Sequence, residues 1–236
     1  MNKKFYKFLA LVFICIIATF LIVNQNGKSI KTTNAFITLA EESVAPQKYV
    51  YLTFDDGPSN RVTPKILNVL KEEGVKATFF IIGRQAESRK DIVKQAFNEG
   101  HTIAVHSYSH EYSTVYSSVE NLIKDVEKCN EIIKEITGEY SKIYRFPGGS
   151  FGVKNEFIKA VTDKGYRYVD WNASTRDAEI FQATPWQLYN AALNSSADRK
   201  NVVLLAHDST NKSATAQALK DIISYYKKHD YVFAKF

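Results

Sequence analysis

From Lys48 onward, short and nearly continuous apolar runs alternate with stretches whose apolar residues recur every three or four positions. The first pattern marks a strand buried on both faces, the second an amphipathic helix. Lys48-Tyr-Val-Tyr-Leu-Thr-Phe opens the series as a strand rich in aromatic and β-branched residues. It meets Asp55-Asp56-Gly57-Pro58, and Gly-Pro cannot continue a central strand, so the chain turns there. A helix starting at Thr63 or Pro64 aligns Ile66, Leu67 and Leu70 and ends near Gly74. Further strands are predicted over 76–83, 101–106, 142–147, 166–172, 201–207 and 231–236. Helices are predicted over 91–99, 117–137, 155–164, 185–197 and 214–228, with Gly100 and Gly138 as stop signals. Repeated strand-then-helix units argue for a parallel sheet covered by helices. The count suits an α/β barrel with one stave short or missing; an open doubly wound sheet is the alternative. Both assemble their ligand site at the C-terminal ends of the strands.

The N-terminal part reads differently. Lys3, Lys4 and Lys7 precede an uncharged apolar run from Phe8 to Val23, the layout of a secretory signal or signal-anchor. No small-x-small cleavage site follows closely, which favours an uncleaved anchor over residues 1–26. The linker then spans 27–47 and the folded domain 48–236. The expected location is the cell membrane, single-pass, with the domain exported, or secreted if the segment is cleaved.

Composition changes the picture little. The 236 residues carry 31 basic and 25 acidic side chains, a net charge of +6, with no dense basic patch interleaved with aromatics, so nucleic acid is not an expected partner. Attraction to an anionic surface, a membrane or an acidic wall polymer, fits the mild excess. Cys15 in the apolar run and Cys129 in a helical pattern are poor partners, and no disulfide is expected. A monomer is expected.

The candidate chemistry lies at strand ends. The first strand delivers Asp55 and Asp56, adjacent like charges that call for a cation or strong donors. The strand over 101–106 ends in His106-Ser-Tyr-Ser-His110, two imidazoles spaced to face one point. Arg145 precedes Phe146-Pro147-Gly148-Gly149, and another strand ends in Leu204-Leu205-Ala206-His207-Asp208. Each has an ordinary alternative: Arg145 as a surface cation, His207 as a satisfied half-buried histidine, Asp177 as a helix cap. Their joint placement at the ends of separate strands favours chemistry. His101 and His229 lack that context. Two histidines and one aspartate make a ligand set that suits Zn²⁺, which would polarise a carbonyl and acidify a bound water. One aspartate would bind the metal and the other take the proton from that water.

Thr53-Phe-Asp-Asp-Gly-Pro-Ser59, His106-Ser-Tyr-Ser-His110 and Arg145-Phe-Pro-Gly-Gly resemble successive signatures of the polysaccharide deacetylases, the NodB-homology family (carbohydrate esterase family 4). The resemblance runs from about Lys48 to Phe236 and implies an irregular (β/α)7 barrel. It implies Asp55 as general base held by Arg145, and a metal, Zn²⁺ or another divalent transition ion, on Asp56, His106 and His110. It further implies His207 as general acid, Asp177 as the carboxylate that orients it, and Leu205 as a wall of the acetyl pocket. Gly148, Phe146 and Trp171 complete the expected substrate contacts, Gly148 through its backbone N–H. Two departures stand out. Phe146 and Gly148 replace a proline and an aromatic of the third signature, so the aromatic wall is lost or supplied elsewhere, with Phe151 a candidate. Ala178 follows Asp177 where an aromatic is common.

The expected activity is metal-dependent removal of N-acetyl groups from N-acetylglucosamine of a cell-wall polysaccharide, peptidoglycan first. Chitin oligomers, N-acetylmuramic acid and poly-N-acetylglucosamine are alternatives, and a glycan-binding module without turnover is a further one. Tyr108, Tyr112 and Trp186 are candidate sugar-stacking residues, although among 14 tyrosines packing is the commoner role.

Overall fold

The computed structural model describes residues 47–236. Strand β1 (Lys48–Gly57) is followed by α1 (Thr63–Glu72), β2 (Thr78–Ile82), α2 (Gly83–Glu87), α3 (Lys90–Asn98) and β3 (Thr102–Ser107). Then come α4 (Tyr112–Val115), α5 (Val119–Thr137), β4 (Ile143–Tyr144), α6 (Asn155–Asp163), β5 (Arg167–Tyr168) and β6 (Ala173–Ser174). Helix α7 (Pro185–Ser196), β7 (Asn201–His207), α8 (Ser213–Lys228) and β8 (Tyr231–Ala234) complete the order.

The strands form one sheet in the order β5-β4-β3-β2-β1-β7-β6, with every pairing parallel. The eighth strand also joins β1, along Lys48–Tyr51, while β2 takes the far half from Thr53. β5 and β6, the ends of the path, are two residues each and are not paired to each other, so the curved sheet stays open there. This is the irregular barrel expected from the sequence. Its order, with β1 in the middle and chain-sequential strands flanking it on one side, is what right-handed βαβ crossovers produce.

Side-chain alternation along β1 sorts the layers. Val50, Leu52 and Phe54 join a core shared with Leu67 and Leu70 of α1 and with Leu219, Ile222 and Ile223 of α8. Thr53 and Asp55, on the other face, are buried and polar. Helix α5 starts where the Ser118 hydroxyl accepts from the Asn121 N–H, and stops at Gly138, whose φ of 93° is the left-handed conformation glycine adopts without steric cost.

Several expected elements are shorter. Of the strands predicted over 142–147 and 166–172, only Ile143–Tyr144 and Arg167–Tyr168 are paired. Helix α2 occupies the end of the run predicted as strand to Gly83, and α4 and β6 were not foreseen. The placement of the protein as a single-pass membrane protein is corrected: no helix among the described residues is long and apolar enough to cross a membrane. The segment expected to serve as the anchor, 1–26, lies outside the described residues, as does the expected linker except for Gln47.

Candidate metal and catalytic site

The site begins with an irregularity in β1. The pairing to β2 shifts register between Asp55 and Gly57, and Asp56 takes a φ of 70°. In a regular strand two successive side chains would point to opposite faces; the bulge turns both carboxylates to the same rim. The Asp56 carbonyl accepts from Gln85 Nε2 of α2 at 2.9 Å.

Asp55 is buried and accepts from Arg145 Nη1 at 2.8 Å. Arg145, just past β4, is fully buried. Its Nη1 also reaches Thr53 Oγ1 at 2.8 Å, and Nε donates to the Val169 carbonyl at 2.9 Å and Nη2 to that of Asp170 at 3.2 Å. Its guanidinium also lies 4.1 Å from the centre of the Phe80 ring, in a cation–π contact. Each arm of the fork therefore has a partner, which is what burying a guanidinium requires.

Asp56 faces two imidazoles. Its Oδ1 lies 3.5 Å from His106 Nε2 and 3.3 Å from His110 Nε2. The three ligand-type atoms fall within 4.8 Å of one another. Ligands about 2.1 Å from a tetrahedral Zn²⁺ are separated by about 3.4 Å, so the spacing suits an ion. Two further observations fit. Asp56 Oδ1 is buried without a hydrogen-bond partner. His106 Nδ1 lies 2.9 Å from the Arg145 carbonyl, which fixes the proton there and leaves Nε2 as a lone pair facing Asp56. Burial raises the Asp56 pKa, but the close imidazoles of His106, His110 and His207 outweigh it and hold the carboxyl well below its usual range.

The loop carrying both histidines is pinned by Asp125 of α5. Its Oδ2 accepts from the Tyr108 N–H at 2.8 Å and from the Ser107 hydroxyl, and its Oδ1 from the Ser109 N–H at 3.0 Å. His110 adopts a φ of 57°, closing a tight turn so that its ring meets His106.

His207 ends β7, in register with Asp55. Its Nδ1 lies 2.7 Å from Asp177 Oδ1, and its backbone N–H donates to Asp177 Oδ2 at 2.9 Å. The Thr215 hydroxyl donates to the same Oδ2 at 2.7 Å. With Nδ1 engaged, Nε2 is the end presented to the site, 3.9 Å from Asp56 Oδ2. Burial would lower the His207 pKa, but the hydrogen bond and charge of Asp177, then Asp55 and Asp56, push it up to about 9. An imidazolium able to give up a proton is thus the neutral-pH form.

The expected substrate contacts divide. Gly148, with a φ of 79°, lies beside Tyr112. The Trp171 ring packs on Gly149 and over the Arg145 guanidinium. Leu205 is a buried β7 residue in register with Thr53. Phe146 is a correction: it is fully buried, edge-on to Tyr144 at 4.7 Å and Tyr168 at 5.6 Å, and offers no face to a substrate. Alternation explains it, since Arg145 points into the barrel and its neighbour must point away. Asp125, Thr215 and Asp208 were missed by sequence reasoning. Asp125 left one signal, an acid among the apolar positions Leu122 and Val126 of an amphipathic helix. Asp208 is fully buried, held by Thr63 Oγ1 at 2.6 Å, and burial pushes its pKa up to about 7.

A carboxylate–guanidinium pair, an Asp-His-His cluster and an aspartate-backed imidazole on one rim of a parallel barrel define a hydrolase of the metal-site kind. The chain belongs to the polysaccharide deacetylase family, whose model matches residues 42–169. It is 33% identical over 192 residues to the YheN protein of Bacillus subtilis, covering 79% of this chain and 66% of that one. It is 32% identical over 189 residues to the peptidoglycan-N-acetylmuramic acid deacetylase PdaA of the same species, covering 79% and 69%. The fold superposes on the catalytic domain of a peptidoglycan N-acetylglucosamine deacetylase from Eubacterium rectale with a TM-score of 0.75 and 33% identity, over 81% of this chain and 90% of that one. The chain thus spans about two thirds of these Bacillus relatives.

Proposed function

We propose that residues 48–236 form a catalytic domain that removes acetyl groups from N-acetylglucosamine residues of a cell-wall polysaccharide, peptidoglycan above all. The observation that carries this reading is the convergence of three arrangements around Asp56: the His106 and His110 nitrogens, the Arg145-held Asp55, and the Asp177-backed His207. The relatives named for peptidoglycan deacetylation support the substrate class.

Asp56, His106 and His110 would hold a divalent transition metal, Zn²⁺ by the chemistry of the set. When bound, that ion supplies Lewis-acid polarisation of the acetyl carbonyl and acidifies a water at the site. Asp55, fixed by Arg145, accepts the proton of the attacking water as its oxygen bonds to the carbonyl carbon. The Gly148 N–H is the backbone donor for the developing oxyanion. His207 donates its Nε2 proton to the departing nitrogen as the C–N bond breaks, giving acetate and a free sugar amine. Leu205 would wall the acetyl methyl, and Trp171 supports the loop at Gly149.

Acetate release from N-acetylglucosamine oligomers tests the reading. Activity should vanish with a chelator and return with Zn²⁺, and His110→Ala should fail to retain metal. Binding of the oligomers without acetate release would leave a glycan-binding module. Faster release from N-acetylmuramic acid residues would shift the assignment to the substrate for which PdaA is named.

A further inference from the structure

The two histidines of the candidate metal cluster are held in different ways. The His106 ring is oriented directly, through the contact of its Nδ1 with the Arg145 carbonyl. A ring hydrogen bond of that kind is how metal-binding histidines are usually aimed. The His110 ring makes no hydrogen bond to another residue among the described residues, and its side chain is 24% exposed. Its position is set by the backbone instead. That backbone is left-handed, with a φ of 57°, a conformation that a non-glycine residue keeps only when its surroundings hold it there. The His110 N–H donates to Ser107 Oγ at 2.8 Å.

Asp125 of α5 controls that hydroxyl. Ser107 is fully buried and gives its single proton to Asp125 Oδ2. A hydroxyl whose proton is committed can only accept from a further group, so the relay runs one way, from the His110 N–H through Ser107 to Asp125. The same carboxylate accepts from the Tyr108 N–H, the Ser109 N–H and, at 2.8 Å, the Ser109 hydroxyl. All of these donors belong to the residues between the two histidines. The carbonyls of that stretch are held from α2: Tyr108 accepts from the Arg84 N–H at 3.0 Å, and Ser109 from Arg84 Nη2 at 3.0 Å. Gly83 lets the loop seat this closely, since a Cβ there would fall 2.9 Å from Tyr108 Cδ2 and 3.1 Å from the Cys129 Cα.

We propose that Asp125 is the positioning residue of the metal centre, aiming His110 through the Ser107 relay in place of a ring hydrogen bond. The proposal rests on the reading of Asp56, His106 and His110 as metal ligands, and not on the identity of the substrate. It assigns Asp125 a part in metal affinity: the loop is ordered before the ion arrives, so the ordering cost does not fall on metal binding. An asparagine cannot take over this task. Whichever way its amide is turned, the NH₂ group meets a backbone N–H, that of Tyr108 or that of Ser109, and two donors face each other.

The test measures Zn²⁺ affinity of the full chain by chelator competition for the parent, Asp125→Asn, Ser107→Ala and the double variant, together with unfolding of the metal-free proteins. Asp125→Asn should weaken Zn²⁺ binding about 10–100-fold, the usual effect of removing an outer partner of a metal ligand. Ser107→Ala should weaken it about tenfold. The double variant should fall short of the product of the two factors, because both changes break one relay. With Co²⁺ in place of Zn²⁺, the visible ligand-field bands should change in both single variants, since His110 is no longer aimed. The proposal is overturned if Asp125→Asn lowers the stability of the metal-free protein yet binds Zn²⁺ within about twofold of the parent, because the carboxylate then merely braces the fold. It is also overturned if Ser107→Ala keeps the parental affinity, or if the two factors multiply in full. Should Asp125→Asn not fold, Ser107→Ala decides by the same criterion. A parent that binds no Zn²⁺ overturns the metal reading itself, whereas a parent that binds it with unaffected variants overturns only the role of Asp125.

Discussion

Arg145 Nη1 and Asp55 Oδ1 are 2.8 Å apart, and neither side chain is open to solvent. The pair spans the barrel interior, from just past β4 to the end of β1. Its guanidinium also holds Thr53 and the carbonyls of Val169 and Asp170. One residue thus ties the middle of the sheet to its β4–β5 end and aims the candidate base.

Asp55→Asn should therefore cost stability as well as activity. It leaves a buried guanidinium facing a neutral amide, and breaking one side of a buried pair costs about 3–5 kcal/mol. The amide oxygen can still accept, so the low end, about 3 kcal/mol, is expected, a fall of roughly 6–12 °C in Tm. Metal should still bind, since Asp56, His106 and His110 are untouched, while acetate release should fall by about 10²–10⁴-fold. Calorimetry with metal analysis checks the first two and an acetate assay the third; full activity in this variant would refute the base assignment.

Asp177→Asn isolates what the carboxylate does for His207. The negative charge and its short contact to Nδ1 outweigh burial and keep His207 up at about 9. Without the charge, burial should prevail and the imidazole should titrate near or below about 6.5, the ordinary histidine value. Histidine C–H resonances followed by NMR, in the same metal state for both proteins, report the change. Thr215→Val, which removes only the 2.7 Å hydroxyl bond to Asp177, should leave His207 charged at pH 7 and cost about 1 kcal/mol of stability.

Gly57 and Asp208 form a second tight pair. A Cβ at Gly57 would fall 2.1 Å from Asp208 Oδ2, and that carboxylate is fixed by Thr63 at 2.6 Å in a buried setting. Gly57→Ala should destabilise by about 2–3 kcal/mol or more. The cause is overlap and not backbone strain, so it should be relieved when the carboxylate is removed. Gly57→Ala with Asp208→Ala should lose less than the sum of the single variants by at least about 1 kcal/mol in urea unfolding. Strict additivity would place the cost of the alanine elsewhere.

These relationships show which parts of the site were legible in the chain. Asp55, Asp56 and His106 could be read because they stand at the end of an apolar run, and His110 because it follows His106 at a spacing of four, both local patterns. Arg145 could be read as a strand-end cation, but not as a buried one. Its burial also accounts for the strands that came out short. The Val169 and Asp170 carbonyls bond to its guanidinium, not to a neighbouring strand, so pairing stops at Tyr168. Phe146 was misread for the complementary reason: the motif supplied a role, while alternation from the inward Arg145 sent the ring to the opposite face. Asp125, Thr215 and Asp208 act on residues 16 or more positions away or across the sheet, and nothing local marks such partners. The N-terminal apolar run carried an expectation of membrane placement that no described helix upholds.

His101 offers a prediction independent of the catalytic rim. It precedes β3 and is buried, its Nδ1 accepting from the Ala77 N–H at 3.1 Å while Nε2 has no hydrogen-bond partner. The Ala77 bond requires a lone pair on Nδ1, so the neutral ring is the form that fits. Burial, then the nearby positive charge of Lys76, pushes its pKa down to about 4. The unfolded chain, with a histidine near 6.5, binds this proton more readily than the folded one between those values. The stabilisation from a neutral His101 is thus complete above about pH 6.5 and is lost as the pH falls towards 4, a loss of roughly 2–3 kcal/mol. His101→Gln, whose side-chain oxygen can still accept from Ala77, should be somewhat less stable at pH 7.5. Its stability should also decline less between pH 6.5 and 4.5 than that of the parent. Urea unfolding at the two pH values makes the comparison, and equal declines would mean that His101 is not the group protonated on acid unfolding.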